Sequence, residues 1–374
     1  MKIGFEAKRA FQNFTGLGNY SRTLLTDLQA SFPQHQYHLY SPRLTRNERT
    51  EPLFAADRFH LHPPSIAFKA WWRSRGMLSD LVRDQIDVFH GLSHELPFGI
   101  HQQKIKSVVT IHDLIFYPYP HQYGVWDRQV YHYKFRYACQ KADHIIAISE
   151  STKRDILQYY QVPSSKVSVI YQACSPIFYQ EHSFGERQAV SNRWQLPPDY
   201  FLYVGSVIER KNLILILQAL KQFSLSGKVP QLVVLGGGGK YYRQMQAKVN
   251  EMGLSTHVKW LKDIPFTDFP AIYQNARGLI YPSYYEGFGL PVLEALASSL
   301  PVITSTRSSL PEAGGPASIY IEPNRVEDLI DAMRTLLNDP AKRQEMITIG
   351  REHAAKFNQA EQSDKLMKVY QNLF

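Results

Sequence analysis

The stretch Tyr281-Pro282-Ser283-Tyr284-Tyr285-Glu286-Gly287-Phe288-Gly289-Leu290-Pro291-Val292-Leu293-Glu294-Ala295-Leu296-Ala297 reads as a strand end, a loop with two glycines and a helix start. Gly287 and Gly289 let backbone approach something bulky or charged. Pro291 suits a first helical turn, where its missing N–H would have had no partner. N–H groups around Gly289, Leu290 and Val292 would then point out of the helix N-terminus, a natural anion site. Glu286 precedes the loop and Glu294 is expected in the first helical turn. Two carboxylates around a phosphate repel it, so they are better placed to grip hydroxyls on either side. An anion flanked by hydroxyls describes a sugar, a diphosphate and a ribose.

Outward from this stretch, the chain alternates strands and helices twice over. Its 374 residues fit two domains. The first series runs from a strand at residues 2–7 to one at 167–171, with a helix at 19–30 and a charged loop at 42–64. A polar, proline-containing segment at 176–199 reads as a linker. The second series opens at Tyr200. It includes strands at 231–235, 257–261, 278–281 and 301–304, and a helix marked by Val326, Leu329, Ile330, Met333, Leu336 and Leu337. Repeated strand–helix units imply two doubly wound parallel sheets, whose ligands sit at the carboxyl ends of the strands. We place the domains at 1–190 and 191–356, with residues 357–374 crossing back onto the first as a helix without a partner strand.

Composition narrows the functional class. A 44% hydrophobic and 20% charged content is that of a globular chain. Cys139 and Cys174 stand apart, which suggests neither a disulfide framework nor a zinc site and fits a cytoplasmic setting. No apolar run is long enough to span a bilayer. The formal charge is +9, and residues 1–195 hold 23 Lys and Arg against 16 Asp and Glu. That basic half suits an anionic substrate, an anionic membrane surface or plain solubility. No nucleic-acid motif accompanies it. Phe68-Lys69-Ala70-Trp71-Trp72-Arg73-Ser74-Arg75 interleaves aromatics with cations. It reads either as peripheral contact with the inner membrane surface or as a helix with tryptophan inside and arginine outside.

Arg210 and Lys211 follow a strand and open a helix, where cations oppose the helix dipole. A bound anion would explain them. Charge-assisted hydrogen bonds from such a pair suit a departing diphosphate, each contributing roughly 1.5–3 kcal/mol. His112 ends an apolar strand beside Asp113 and reads as a site residue or a hydrogen-bonded structural histidine. His90, His94 and His101 either shape an acceptor pocket or are scattered surface residues. Gly16-Leu17-Gly18 is half a dinucleotide fingerprint, but it lies too far from strand one and no acidic residue follows near position 40. No Asp-x-Asp pair occurs, so we expect no metal and no cofactor.

These motifs together resemble the retaining family 4 glycosyltransferases. The resemblance rests on Tyr285 to Ala295, Tyr203 to Ser206 with Glu209 to Leu213, Thr110 to Leu114, Thr15 to Tyr20 and Ser309 to Gly315. It covers nearly the whole chain and is weakest at 42–85. It implies the GT-B fold, two Rossmann-like domains facing across a cleft, and a donor that is a GDP- or UDP-sugar. By resemblance, Glu286 orients the donor sugar, Gly287, Phe288, Gly289 and Leu290 hold phosphate, and Glu294 holds the ribose. Arg210 and Lys211 contact the diphosphate, and Ser206 and Ile264 meet the nucleotide. Gly16, Gly18 and Asn19 form a loop for acceptor or phosphate, and His112 faces the donor sugar without having to act as a base. The expected function is retaining, metal-independent transfer of a hexose, mannose or similar, to a glycan or lipid-linked acceptor in cell-surface polysaccharide synthesis. The alternatives are a sugar phosphorylase, a nucleotide-sugar epimerase, or a non-catalytic nucleotide-sugar-binding protein.

Overall fold

A computed structural model describes residues 1–374 except 15, 56, 65–67 and 226. Thr15, quoted in the glycine motif, therefore lies outside the described residues. The described residues divide into two compact units, Met1–Ala173 with Gln359–Phe374, and Cys174–Asn358.

The first unit holds a seven-stranded parallel sheet. Its strands are β1 (Lys2–Glu6), β2 (Gln36–Tyr40), β3 (Phe59–His62), β4 (Val88–Gly91), β5 (Lys106–Ile111), β6 (His144–Ala147) and β7 (Val167–Val169). They lie in the order β3-β2-β1-β4-β5-β6-β7. The inner strands are apolar on both faces, as helices on both sides require. The order reverses between β1 and β4. Helix Gly16–Ser31 covers one face with Tyr20, Leu24, Leu25 and Leu28. Leu366, Met367 and Tyr370 of helix Gln359–Gln371 join the same cluster, so the C-terminal helix does return to the first unit.

The second unit holds β8 (Tyr200–Val204), β9 (Gln231–Leu235), β10 (Val258–Leu261), β11 (Gly278–Tyr281), β12 (Val302–Ser305) and β13 (Ile319–Ile321). This six-stranded sheet is parallel, in the order β10-β9-β8-β11-β12-β13, and reverses between β8 and β11. Leu329, Met333 and Leu336, from the helix with the clear 3.6-residue spacing, pack into its core.

Four local readings change. Residues 42–64 are not one loop: β3 lies within them and pairs with β2, His38 opposite His60. Its Phe-His-Leu-His alternation was hidden by the charged residues before it. The supposed linker contains helix Phe184–Trp194, started by a reciprocal cap between Ser183 and Glu186. This segment packs with the second unit through Arg187 to Gln274 O and Ser298 to Phe178 O, so that unit begins at Cys174 rather than near 191. The glycine motif is not a loop: Gly16, Gly18 and Asn19 lie in the opening turn of helix Gly16–Ser31. Gly18 is needed for packing, since a Cβ there would collide with Asn13 O.

Candidate active site

In the second unit the loops after β8 and β11 leave the sheet side by side, where strand order reverses. Such switch points are where open α/β sheets bind ligands. The β8 loop brings Arg210 and Lys211 in a short turn, Glu209–Lys211. Asn212 follows in the left-handed region at φ 57°. Its side-chain amide donates to Pro282 O and Pro323 O, fastening the two loops together.

Arg210, Lys211 and Glu286 form one cluster. Arg210 lies 2.9 Å and Lys211 Nζ 4.0 Å from Glu286 Oε1. Tyr281 and Ser283 hydroxyls donate to the same oxygen at 3.1 and 2.9 Å, and Lys211 donates to Tyr281 at 2.8 Å. Burial works to raise the Glu286 carboxyl, but Arg210 and Lys211 outweigh it and hold the group below the usual range. Burial and neighbouring Arg210 lower the Lys211 ammonium, against the pull of Glu286. The sequence motifs assign the cations and Glu286 to one donor site; the fold adds that they pair directly with each other.

The loop backbone is pinned from several sides. Arg210 donates to Tyr285 O, and Arg210 O accepts from Tyr284 N–H. Glu286 N–H donates to Ser308 Oγ at 2.8 Å, and Ser309 Oγ donates to the carbonyls of Glu286 and Phe288. Ser309 opens the later stretch quoted above, whose role had no account in the sequence. Gly289 then starts helix Leu290–Ala297 at φ +120°, which L side chains rarely adopt. A Cβ there would also sit 2.9 Å from Leu310.

Two details of the helix start are corrected. Val292 N–H is bonded to Gly289 O, so it does not point outward as expected. Glu294 lies in the second helical turn, because the helix begins at Leu290. It accepts from Tyr273 at 2.8 Å. Burial pushes its carboxyl up to about 7, against the Tyr273 bond and Lys211. Ser206 is exposed on the β8 loop, and Ile264 is buried after β10.

A pH effect follows from Glu294. If its carboxylate grips hydroxyls, ligand binding draws on the ionised form. Nucleotide affinity should then rise as pH climbs through about 7, by up to roughly tenfold per unit below that value. Binding near neutrality should release a proton, measurable by calorimetry in buffers of different ionisation heat. Glu294→Gln should flatten the profile; an unchanged profile removes Glu294 from ligand contact.

In the first unit His112 is buried at the end of β5. Its Nε2 bonds Leu92 O at 2.8 Å and its Nδ1 faces Gln172 Nε2 at 3.3 Å. Burial, with His94 nearby, lowers its pKa to about 3. It is a neutral ring with both nitrogens bonded inside this unit. His90 bonds Tyr370 and Thr110. Asn19 Oδ1 accepts from Arg22 and Gly18 N–H donates to Asn13 Oδ1, while Gly16 stands exposed. Among the described residues no group of His, Cys, Asp or Glu could hold a metal ion.

Residues 14–176 match the family model described as Glycosyltransferase Family 4, and residues 186–353 match Glycosyl transferases group 1. O-antigen chain mannosyltransferase B of Escherichia coli is 28% identical, over 100% of both chains. O-antigen chain mannosyltransferase RfbU of Salmonella typhimurium is 27% identical over 62% of this chain and 61% of that one. Sucrose-phosphate synthase from Thermosynechococcus elongatus superposes with a TM-score of 0.81 at 20% identity, covering 100% of this chain and 99% of that one. Anabaena HepE in complex with UDP-glucose superposes with a TM-score of 0.77 at 14% identity, over 100% of both.

Proposed function

Because this chain belongs to the family 4 glycosyltransferases of the GT-B fold, we propose that it moves a hexose, with mannose the first candidate, from a nucleoside-diphosphate sugar to a glycan or lipid-linked acceptor in cell-surface polysaccharide synthesis. The observation that carries the reading is the Arg210–Lys211–Glu286 cluster at the β8/β11 switch point. The mannosyltransferase names of the sequence relatives favour mannose. HepE was crystallised with UDP-glucose, which leaves the base to be tested between guanine and uracil.

On this reading the diphosphate lies against Arg210, Lys211 and the N-terminus at Gly289 and Leu290. As the glycosidic bond breaks, negative charge grows on the departing phosphate and the two cations stabilise it. Tyr281, Ser283 and Arg210 all reach Glu286 Oε1, so Oε2 is the oxygen we assign to the sugar hydroxyls. Glu294 takes the ribose, and Ser206 and the backbone near Ile264 meet the base. His112 supplies position rather than a proton shuttle, since both ring nitrogens are bonded. The departing phosphate takes the acceptor's proton on the same face, which gives retention without a protein base or a metal.

A thermal-shift panel of GDP-mannose, UDP-glucose and their nucleoside diphosphates tests the donor class, because only ligands of the folded state raise the midpoint. Transfer is then followed by NMR of the anomeric centre, with and without EDTA. Inversion, or loss of activity in EDTA, overturns the mechanism. Consumption of donor without an acceptor would favour the epimerase reading.

No described helix is long and apolar enough to cross a membrane. We propose peripheral membrane contact through the first unit. Trp72 is buried, its indole bonded to Asp80, whereas Phe68 and Trp71 are 80% and 57% exposed. Trp126, Val130 and Tyr133 are exposed four and three residues apart, on one face of helix Val125–Lys141. Phe98 links the two elements: its N–H donates to Ser74 O and its ring touches Tyr133. Lys69, Arg75 and Arg136 stand exposed around them. Such a surface suits the interface of an anionic bilayer. Trp71→Ala with Trp126→Ala should reduce co-sedimentation with phosphatidylglycerol vesicles about tenfold or more. Unchanged binding rejects the contact.

A further inference from the structure

The first sheet has its own switch point, between β1 and β4. Glu6 ends β1 with its side chain buried, and Lys8 and Arg9 follow directly. Beyond β4, Glu95 receives ion pairs from Arg73 and, at 3.0 Å, from Lys134. Arg73 also stands 3.4 Å from Glu6 Oε1, and Arg9 donates to Ser93 Oγ at 3.3 Å. Arg73 and Lys134 thus pair with the two carboxylates, and Lys8 and Arg9 act on Glu6 through their charge.

A purely structural ion-pair network balances its charges, because uncompensated charge out of water is costly. This one carries surplus positive charge. Burial is the main influence lowering the Lys8 ammonium, and Arg73 and Arg9 add to it. The hydrogen-bonding groups are incomplete as well. Glu6 Oε1 and Arg73 Nε face each other without a hydrogen bond, and the nearby buried His94 Nδ1 also has none. Lys8, Arg9, Arg73 and Lys134 all remain partly exposed, so an anion can reach them while the two acids hold them in place. Cations on three separate elements match an anion with several oxygens better than a single carboxylate.

We propose that the β1/β4 switch point of the first unit binds a phosphate or diphosphate group carried by the acceptor. The word acceptor rests on the transfer reading above; anion binding at these residues does not.

The test is calorimetric titration of the full chain with inorganic pyrophosphate. Arg9→Met and Lys134→Met should each weaken a first-unit binding event by about fivefold or more, and Glu95→Gln should tighten it by a similar factor. Effects of opposite sign cannot both arise from a lost fold. Equal affinity across the three variants overturns the proposal. Lys211→Ala is run in parallel, because it should weaken pyrophosphate binding in the second unit. If Lys211→Ala is silent while the first-unit variants act, the donor reading is lost and this site stands. On the Lys211→Ala background, tighter binding of glucose 1-phosphate than of geranyl diphosphate assigns the site to soluble sugar phosphates. The reverse order assigns it to lipid-linked ones.

Discussion

Glu286→Ala should abolish transfer, lowering kcat/KM by about a thousandfold or more, in a protein that still binds a nucleoside diphosphate. The substitution removes the oxygen proposed for the sugar hydroxyls. It also removes the counter-charge of two half-buried or buried cations, Arg210 and Lys211. Stranding a buried charge costs of order 3 kcal/mol, so the ligand-free variant should melt earlier than the wild type. A bound diphosphate would replace the lost carboxylate as partner. Nucleoside diphosphate should therefore raise the variant's melting point more than it raises the wild type's. Glu286→Gln keeps the shape and the bonds from Tyr281 and Ser283, and separates charge from packing. Near-normal turnover in either variant would sink the assignment of Glu286 to the donor sugar.

Lys211→Ala should weaken nucleoside diphosphate binding by about ten- to a hundredfold, while the free nucleoside binds as before. The reason lies in where the ammonium sits. The ammonium is largely withdrawn from water beside Arg210 and Glu286, so an approaching diphosphate gains a partner poorly shared with water. Lys211 also donates to Tyr281, which in turn donates to Glu286. Its loss should thus slow transfer beyond the loss in binding. Arg210→Ala is a poorer probe, because Arg210 supports the loop backbone at Tyr284 and Tyr285. Equal weakening of nucleoside and nucleoside diphosphate, read by calorimetry, would place Lys211 away from phosphate.

The two doubly wound sheets were legible because strand and helix periods differ and alternate along the chain. So was the β11 loop, where glycine, proline and glutamate spacing agree with a strand–loop–helix passage. What escaped the reading was mostly non-local. Nothing in the order of residues says that Arg210 and Glu286, 76 positions apart, share one oxygen contact. Nor does it say that Ser308 and Ser309 would pin the loop at Glu286 and Phe288. β3 escaped because the charged residues before it hid the short Phe-His-Leu-His alternation. Helix Phe184–Trp194 had a visible signal, Ser183 with Glu186 three positions on, and flanking prolines outweighed it. The Glu6–Arg73–Glu95 cluster draws on strand β1, the segment ahead of helix Met77–Arg83 and the residues after β4. Only the strand order brings these together.

The return of helix Gln359–Gln371 to the first unit bears on how the chain is made. During synthesis, residues 1–173 leave the ribosome long before the helix that covers Leu24, Leu28 and Tyr37 exists. Until residues 359–371 have been made, His90 lacks its Tyr370 partner and the apolar slot for Leu366 and Met367 stays open to water. The second unit, an unbroken stretch, meets no such delay. The nascent chain should therefore complete its later half first, and the earlier half would be the one that chaperones guard.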